Sequence, residues 1–559
     1  MRGADRLIAA LEAEGVDTVF GLPGGASLAI HHALHESPIR HVLVRHEAGA
    51  GHAAEGYAKA TGRVGVALVT SGPGATNLMT AIADAYMDSV PTVFITAQVS
   101  THLKGTMAFQ ECDVIGMTHP IVKHSIEVRS ADQMAQAIHE AFHVARTGRP
   151  GPVVVDVPAD AARNPAREGG EAPSLPGYRT RVVPNAKQLR RAAAAIAAAR
   201  RPVVYAGGGV VAADAAAELT DLARRLDLPV TTTLMALGAF PASDRRWLGM
   251  LGMHGTRTAN WAIDEADLVI AVGARFDDRV TGELGAFARG AKIVHIDVDA
   301  AEISKNVEAH IPVVGDAKQA LAGILCELST LAPGPGQWEP WWRRIDGWRA
   351  EYGQPAREPA TEDGAIDPEA ALDLLGSALD GDAIVTTDVG QHQMWAANRL
   401  RFDRPRRWLT SGGLGTMGFG LPAALGAQAA EPGTQVVCVS GDGSLLLNLQ
   451  ELATAVAERL PVKVVLLDNG ALGLVRQQQD LFWEGRRAAS ELGGSLDWRL
   501  LAGGFGVAAR SVEDPDRLED AIAATLAEPG PALLRIAVAP LADALPMFVP
   551  GGPAREMIG

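Results

Sequence analysis

The chain has 559 residues, a length that predicts roughly three or four domains and a core burying about three quarters of the unfolded surface. A formal net charge of −15 without any dense Lys/Arg run argues against a nucleic-acid footprint, so anionic ligands must be held by local groups. The three cysteines, Cys112, Cys326 and Cys438, lack metal-type spacing. With no apolar stretch of spanning length and no signal or transit character at the N-terminus, the expectation is a cytoplasmic protein with reduced thiols.

Two stretches rich in Pro, Gly and charge, 164–188 and 331–367, interrupt an alternation of short β-rich runs and Ala-rich helical runs. They predict three α/β blocks at 1–165, 186–332 and 366–545, followed by a tail at 546–559. The strands "VGVALVT" (64–70), "RPVVYAG" (201–207) and "VKVVLLD" (462–468) are continuous apolar runs. Such runs suit doubly wound parallel sheets with helices on both faces. The first and third blocks read as distant copies: each has helix, strand, glycine turn ("SGPGATN" or "SGDGSLL"), helix and strand in the same order.

In the first block, "VLVRHEAGAGHAAEGYAKATG" places Glu47 between an apolar strand and a small-residue helix. In the second, "YAGGGV" (205–210) follows a strand with backbone amides open to a pyrophosphate. In the third, "SGDGSLLLNLQELATAVAERLPVKVVLLDNGAL" puts Asp442 at the carboxyl end of a strand, with Gly441 and Gly443 letting a phosphate approach. Asn469 closes the next strand. A hard cation such as Mg²⁺ at a diphosphate needs near-octahedral oxygens, and Asp442, Asn469 and the Ala471 carbonyl supply the protein's share. A GDG followed at this distance by such an Asn resembles the thiamine-diphosphate fingerprint.

Longer stretches sharpen the resemblance. "GLPGGA" (21–26), "SGPGATNL" (71–78), "AFQECD" (108–113), "LGMLGMHGT" (248–256), "GARFDDRVTG" (273–282), "TDVGQHQMWAA" (387–397) and "SGGLGTMGFGLPAA" (411–424) are similar to the catalytic subunit of the acetohydroxyacid synthase (acetolactate synthase) family, nearest its isozyme I type. That resemblance implies pyrimidine-binding, FAD-binding and diphosphate-binding blocks, in that order. It implies Glu47 as the carboxylate that activates thiamine diphosphate, Met417 as the residue that bends it, and Gln391 and His392 at its diphosphate. Val389, Gly415, Gly441, Gly443, Ser444, Leu472 and Gly473 are implied as further contacts of that cofactor. Gly25, Phe109 and Gln110 are expected to face the cofactor of a neighbouring subunit, so the minimum active unit is a homodimer, extendable to a tetramer and to a regulatory small subunit.

For FAD, a structural cofactor in this family, the resemblance implies Gly207, Gly208, Gly209, Thr232 and Leu234 along one side. Gly252, Met253, His254, Gly273, Arg275, Asp277 and Arg279 follow along the flavin, with Asp297 and Asp316 at strand ends. Arg279 and Met253 are also implied as substrate contacts, Arg279 gripping a carboxylate through two parallel hydrogen bonds. The implied reaction decarboxylates pyruvate and joins its two-carbon unit to a second 2-oxo acid, giving 2-acetolactate, or 2-aceto-2-hydroxybutyrate from 2-oxobutanoate. It opens branched-chain amino-acid synthesis.

Gln478, in "LVRQQQDLF", stands where most members carry a tryptophan that packs on the extra methyl of 2-oxobutanoate; its loss predicts little preference for that acceptor. Gln477 and Gln479 carry no expectation of their own. Further departures are Ala159 for a common lysine, Leu22 for a tyrosine and Asp468 for an asparagine. A flavin-using pyruvate oxidase shares fold and cofactors, but "GMLGMHGT" and "ARFDDR" set the chain apart from it; a carboligase with a different acceptor remains compatible with the residues.

Overall fold

The computed structural model describes residues 1–559 apart from 168–172, 181, 332–333, 335 and 495. Parts of both expected interruptions, and the boundary at 332, therefore lie outside the described residues. The expected parallel architecture is present three times. The first sheet comprises β1 (Thr18–Leu22), β2 (Arg40–Leu43), β3 (Gly65–Val69), β4 (Thr92–Gln98), β5 (His124–Glu127) and β6 (Val153–Pro158), in the order β2-β1-β3-β4-β6-β5. The second comprises β7 (Pro202–Ala206), β8 (Val230–Thr232), β9 (Trp247–Met250), β10 (Leu268–Val272), β11 (Lys292–Asp297) and β12 (Ile311–Val314), in the order β12-β11-β10-β7-β8-β9. The third comprises β13 (Ile384–Thr387), β14 (Trp408–Leu409), β15 (Val436–Gly441), β16 (Lys463–Asp468), β17 (Ala508–Val512) and β18 (Ala532–Ala537), in the order β14-β13-β15-β16-β18-β17.

Numbered within each sheet, the first and third orders are the same, 2-1-3-4-6-5, so the likeness read in their motifs extends to topology. The second order is 3-2-1-4-5-6, the dinucleotide-binding arrangement. Central strands such as β3 and β4 are buried along their whole length, which is why they carry no polar alternation. The strand order reverses between β1 and β3, between β7 and β10, and between β13 and β15, and in the first and third sheets it turns back again at the β6-β5 and β18-β17 edges. At the second and third of these points cavities open beyond the strands' carboxyl ends, and they hold many of the motif residues.

The first and third units meet along helices Glu47–Thr61 and Gly420–Ala430, both rich in Ala and Gly. A Cβ on Gly56 would lie 2.1 Å from the Ala423 carbonyl oxygen, and one on Gly426 would lie 1.9 Å from that of Ala53. Only hydrogen fits at those crossings, which lets the backbones touch. The stretch 331–367 is more than a linker, against its composition: helix Glu339–Tyr352 buries Trp341, Trp342 and Trp348 on the second unit. Trp341 and Trp342, with Trp338 just before the helix, donate their indole N–H groups to the carbonyls of Pro202, Asp227 and Ala199. Large indoles with satisfied N–H groups outweigh the surrounding Pro and Gly. The tail also folds back, with Met547–Phe548 pairing antiparallel with Met557–Ile558.

Among the described residues no helix is long and apolar enough to cross a membrane, and the three cysteines are unpaired. Replacing Gly426 with Ala should destabilise the chain by ~1–3 kcal/mol or more through forced separation of the two helices. Gly433→Ala, at a site with open space around it, should leave the denaturation midpoint nearly unchanged; equal effects of the two would contradict this packing.

Candidate functional site

The crevice of the third sheet is a cavity of about 180 Å³. Val389, Gln391 and His392 line it from beyond β13, Gly441, Asp442, Gly443 and Ser444 from beyond β15, and Asn469, Ala471, Leu472 and Gly473 from beyond β16. Gly415 and Met417 close it from the glycine-rich loop before helix Gly420–Ala430. Every residue expected at the diphosphate end of the cofactor is therefore in one place. Gly390, Trp395, Leu467, Leu474 and Val475 also line it. Leu467, Leu474 and Val475 lack any glycine or carboxylate signal, whereas Gly390 and Trp395 lie inside the "TDVGQHQMWAA" stretch.

The cavity's chemistry fits a diphosphate held through a divalent cation. Burial, together with the Asp468 carboxylate beside it, pushes the Asp442 carboxyl up to about 7. Asp468 turns its other oxygen to Arg535, 2.6 Å away. A cation is the natural counter-charge for such an acid at the mouth of two strands. His392 Nε2 is buried without a partner. Its Nδ1 would lie 2.7 Å from a Cβ on Gly441, so the motif glycine is needed to seat the ring. The Gln391 Oε1 atom would lie 2.0 Å from a Cβ on Gly473, so a side chain there would displace Gln391 and Asn469 from their present places.

Gln391 is held from both sides. Its oxygen accepts from Asn469 Nδ2 at 3.1 Å, and its Nε2 donates to Gln477 Oε1 and to the Ala542 carbonyl, each at 2.8 Å. Gln477 is fully buried on helix Gly473–Phe482, and its oxygen also accepts the Ala544 N–H at 2.8 Å while its nitrogen donates to the Ala544 carbonyl at 3.2 Å. The sequence singled out its neighbour instead. Burial at one face of a short helix, which separates 477 from 478, is not visible in three identical letters. Gln478 is half-buried, one turn beyond the cavity-lining Leu474 and Val475.

No residue of the first unit lines this cavity. Glu47 instead opens helix Glu47–Thr61, buried, with Asn77 Nδ2 donating to it at 2.9 Å. The loop "SGPG" lies between Glu47 and Gln110: a Cβ on Gly74 would be 3.7 Å from Glu47 Oε1, and one on Gly72 2.8 Å from Gln110 Cβ. Gln110 is in the left-handed region at φ 61°, a costly conformation for a residue with a side chain. Gly25 begins the turn after β1 with open space around it. Phe109 is 87% exposed and Met107 95% exposed, an apolar edge beside Gln110. None of the four first-unit residues therefore lines the cavity.

The second crevice is a cavity of about 340 Å³, lined by Gly207, Gly208, Gly209, Gly273, Arg275, Asp277, Asp297 and Asp316. Gly209 and Gly273 approach so closely that a Cβ on Gly273 would lie 2.5 Å from the Gly209 Cα, and Gly273 has φ +58°. Burial pushes the Asp297 carboxyl up to about 6. The first unit contributes Arg146 and Arg149, which sequence reading missed; Arg149 pairs with Glu302 at 2.8 Å.

Thr232, Leu234, Gly252, Met253, His254 and Arg279 are not part of that lining. Thr232 ends β8 and accepts the Trp247 indole N–H, and Leu234 starts the turn Leu234–Ala236. Gly252, Met253 and His254 follow β9 and adjoin Arg279 and the tail: the Met253 N–H donates to the Arg279 carbonyl at 2.7 Å, and the Phe548 N–H to the Met253 carbonyl at 3.0 Å. The Arg279 side chain is 63% exposed, with Asp278 only at 3.9 Å, so its guanidinium is available to an anion.

Three family models match the chain in order: the thiamine pyrophosphate enzyme N-terminal TPP binding domain over residues 1–117, the central domain over 189–324 and the C-terminal TPP binding domain over 388–536. The acetolactate synthase large subunit of Mycobacterium tuberculosis is 48% identical over 88% of this chain and 80% of its own length. The isozyme 3 large subunit of Escherichia coli is 46% identical over 94% and 92%. The acetolactate synthase large subunit of Haemophilus influenzae is 44% identical over 100% of this chain and 98% of its own. The chain belongs to the acetolactate synthase family of thiamine pyrophosphate enzymes. Its family membership accounts for the equal topology of the first and third sheets, both of which are TPP-binding domains in these models.

Gln477→Ala should lower stability by ~1–3 kcal/mol, because it strands the Ala544 and Gln391 groups that the amide satisfies. Faster proteolysis within 542–559 would report it, while Gln479→Ala should cleave at the unmodified rate.

Proposed function

We propose that the chain is the catalytic subunit of an acetolactate synthase that joins the two-carbon unit of pyruvate to a second 2-oxo acid. The observation that carries this reading is the cavity joining Asp442, Asn469, Gln391, His392 and Met417, in a chain whose relatives bear that name over nearly their whole length. In it, Asp442, Asn469 and the Ala471 carbonyl hold Mg²⁺, and Gln391, His392, Ser444 and the backbone at Gly441–Gly443 hold the diphosphate. Bound thiamine diphosphate supplies a nucleophilic carbon and an electron sink for decarboxylation. Glu47 holds and exchanges a proton at the cofactor's aminopyrimidine, in a site closed to water. Arg279 grips the acceptor's carboxylate and orients it.

Glu47, Gly25, Phe109 and Gln110 serve the cofactor of a second copy, which makes a homodimer the smallest active assembly and covers the exposed Phe109 and Met107. The separation of these residues from the cavity supports this arrangement. FAD occupies the 340 Å³ cavity in a structural role, its pyrophosphate at Gly207–Gly209. The blocks 1–165, 186–332 and 366–545 are then the pyrimidine-binding, FAD-binding and diphosphate-binding domains. A regulatory small subunit and cytoplasmic residence go with this reading.

Acceptor choice follows from Gln478. An amide one turn beyond Leu474 and Val475 cannot replace an indole against a methyl group worth about 1–3 kcal/mol. The enzyme therefore makes chiefly acetolactate, as an isozyme I type. With pyruvate and 2-oxobutanoate in competition, products should form nearly in proportion to the two acceptors, and Gln478→Trp should shift them at least about 10-fold toward acetohydroxybutyrate. A strong preference for 2-oxobutanoate in the unmodified enzyme would sink the assignment. Glu47→Gln should lower acetolactate formation by about 100-fold or more while leaving FAD bound.

A further inference from the structure

Two sets of buried carboxylate contacts take no part in the chemistry above, yet they are arranged alike on the two related units. Glu451 begins helix Glu451–Ala457, which follows β15 and the short helix Asp442–Leu445. It is fully buried, and its Oε1 accepts the backbone N–H groups of Arg45 and His46, each at 3.0 Å. Its Oε2 accepts the Thr454 hydroxyl at 2.7 Å. The two amides it holds are the ones immediately before Glu47.

The corresponding helix of the first unit, Met79–Met87, follows β3 and the short helix Pro73–Asn77. Asp84 on this helix accepts the hydroxyls of Ser411 at 2.5 Å and Thr416 at 3.0 Å. Asp88, just past its end, accepts the N–H groups of Gly413 at 2.7 Å and Gly412 at 3.2 Å. The Ser411 hydroxyl oxygen accepts the Thr416 N–H at 2.8 Å, which closes the loop immediately before Met417. Behind them, Lys59 pairs with Asp88 at 2.8 Å. Glu55, which His52 meets at 2.9 Å, is pushed well up by burial and by the neighbouring Asp84 carboxylate.

Burying this many carboxyl groups is costly in an interface otherwise built of Ala and Gly, and apolar contacts would join the units as well. What carboxylates add is direction: each fixes specific backbone and hydroxyl donors. We propose that Glu451, Asp84 and Asp88 are positioning residues in a reciprocal clamp, each unit setting the loop that the other presents to a cofactor: Glu451 sets Glu47, and Asp84 with Asp88 sets Met417. The clamp rests on the thiamine diphosphate reading. The acid in each case comes from the helix after the third strand of one unit. The loop it holds leads into the helix between the second and third strands of the other unit.

The test uses the full chain with bound FAD and four readouts: thiamine diphosphate Kd from quenching of tryptophan fluorescence, exchange of the cofactor's C2 proton by NMR, kcat, and the thermal midpoint. Glu451→Ala should slow C2 exchange and kcat by about 100-fold with Kd changed by no more than about 2-fold. Glu451→Gln, whose amide oxygen still accepts both N–H groups, should restore most of the rate. Asp84→Ala should instead weaken Kd by about 10-fold or more, and Asp84→Asn should recover it. The Ser411→Ala, Thr416→Val pair leaves the carboxylate in place and carries the same Kd prediction if Asp84→Ala does not fold. Unchanged exchange in Glu451→Ala, or Kd, exchange and midpoint falling together in every variant, would overturn the clamp. Failure of the unmodified chain to bind thiamine diphosphate would overturn the reading beneath it.

Discussion

The contact on which the rest of the molecule depends is the crossing of helices Glu47–Thr61 and Gly420–Ala430, where Gly56 and Gly426 let two backbones touch. Glu47 opens the first of these helices, and Met417 lies in the loop that enters the second. Small residues at the crossing remove the freedom that larger side chains would allow, because interiors packed this closely have no room for a sideways shift. The buried acids then fix direction where the packing fixes distance. A single interface thereby determines where Glu47 and Met417 point.

Topology explains why two cavities occur at corresponding points of their sheets. Each sheet reverses its strand order beside its first strand, and in the second and third sheets that reversal leaves a cleft beyond the strands' carboxyl ends. In the second sheet the cleft is edged by glycines at the ends of β7 and β10, and the Arg149–Glu302 pair joins it to the first unit. In the third it carries a buried carboxylate pair and an unpartnered imidazole. In the first, the "SGPG" loop is buried beside Glu47 apart from Pro73, while Gly25, Phe109 and Met107 are exposed. A topology duplicated within one chain therefore presents a cavity in one copy and exposed apolar residues in the other.

Much of this was legible in the residues. Continuous apolar strands told of parallel sheets, and glycines next to Asp442 told of close approach at a strand end; both hold because they follow from local backbone and burial demands. The duplicated order of motifs in the first and third blocks reappears as equal strand order. What was not legible depended on long-range contacts. Gln477 is indistinguishable from Gln478 until a helix face is chosen. Arg146 and Arg149 reach the second crevice only through the docking of a different unit. Helix Glu339–Tyr352 lies in a stretch whose Pro and Gly content suggested a linker, because the pull of its tryptophans appears only when the second unit offers carbonyls to their indoles. Asp84, Asp88 and Glu451 read as ordinary surface acids on Ala-rich helices.

The central claim is that a working site combines the first unit of one chain with the third unit of another, and mixing two inactive chains tests it most directly. Glu47→Gln chains and Asp442→Asn chains, co-refolded in equal amounts, should regain about one quarter of the unmodified activity, since half of the two-fold dimers are mixed and each has one intact site. A mixture that stays as inactive as its parents, with mixed dimers verified by mass, would contradict the account and place both residues in a site within one chain.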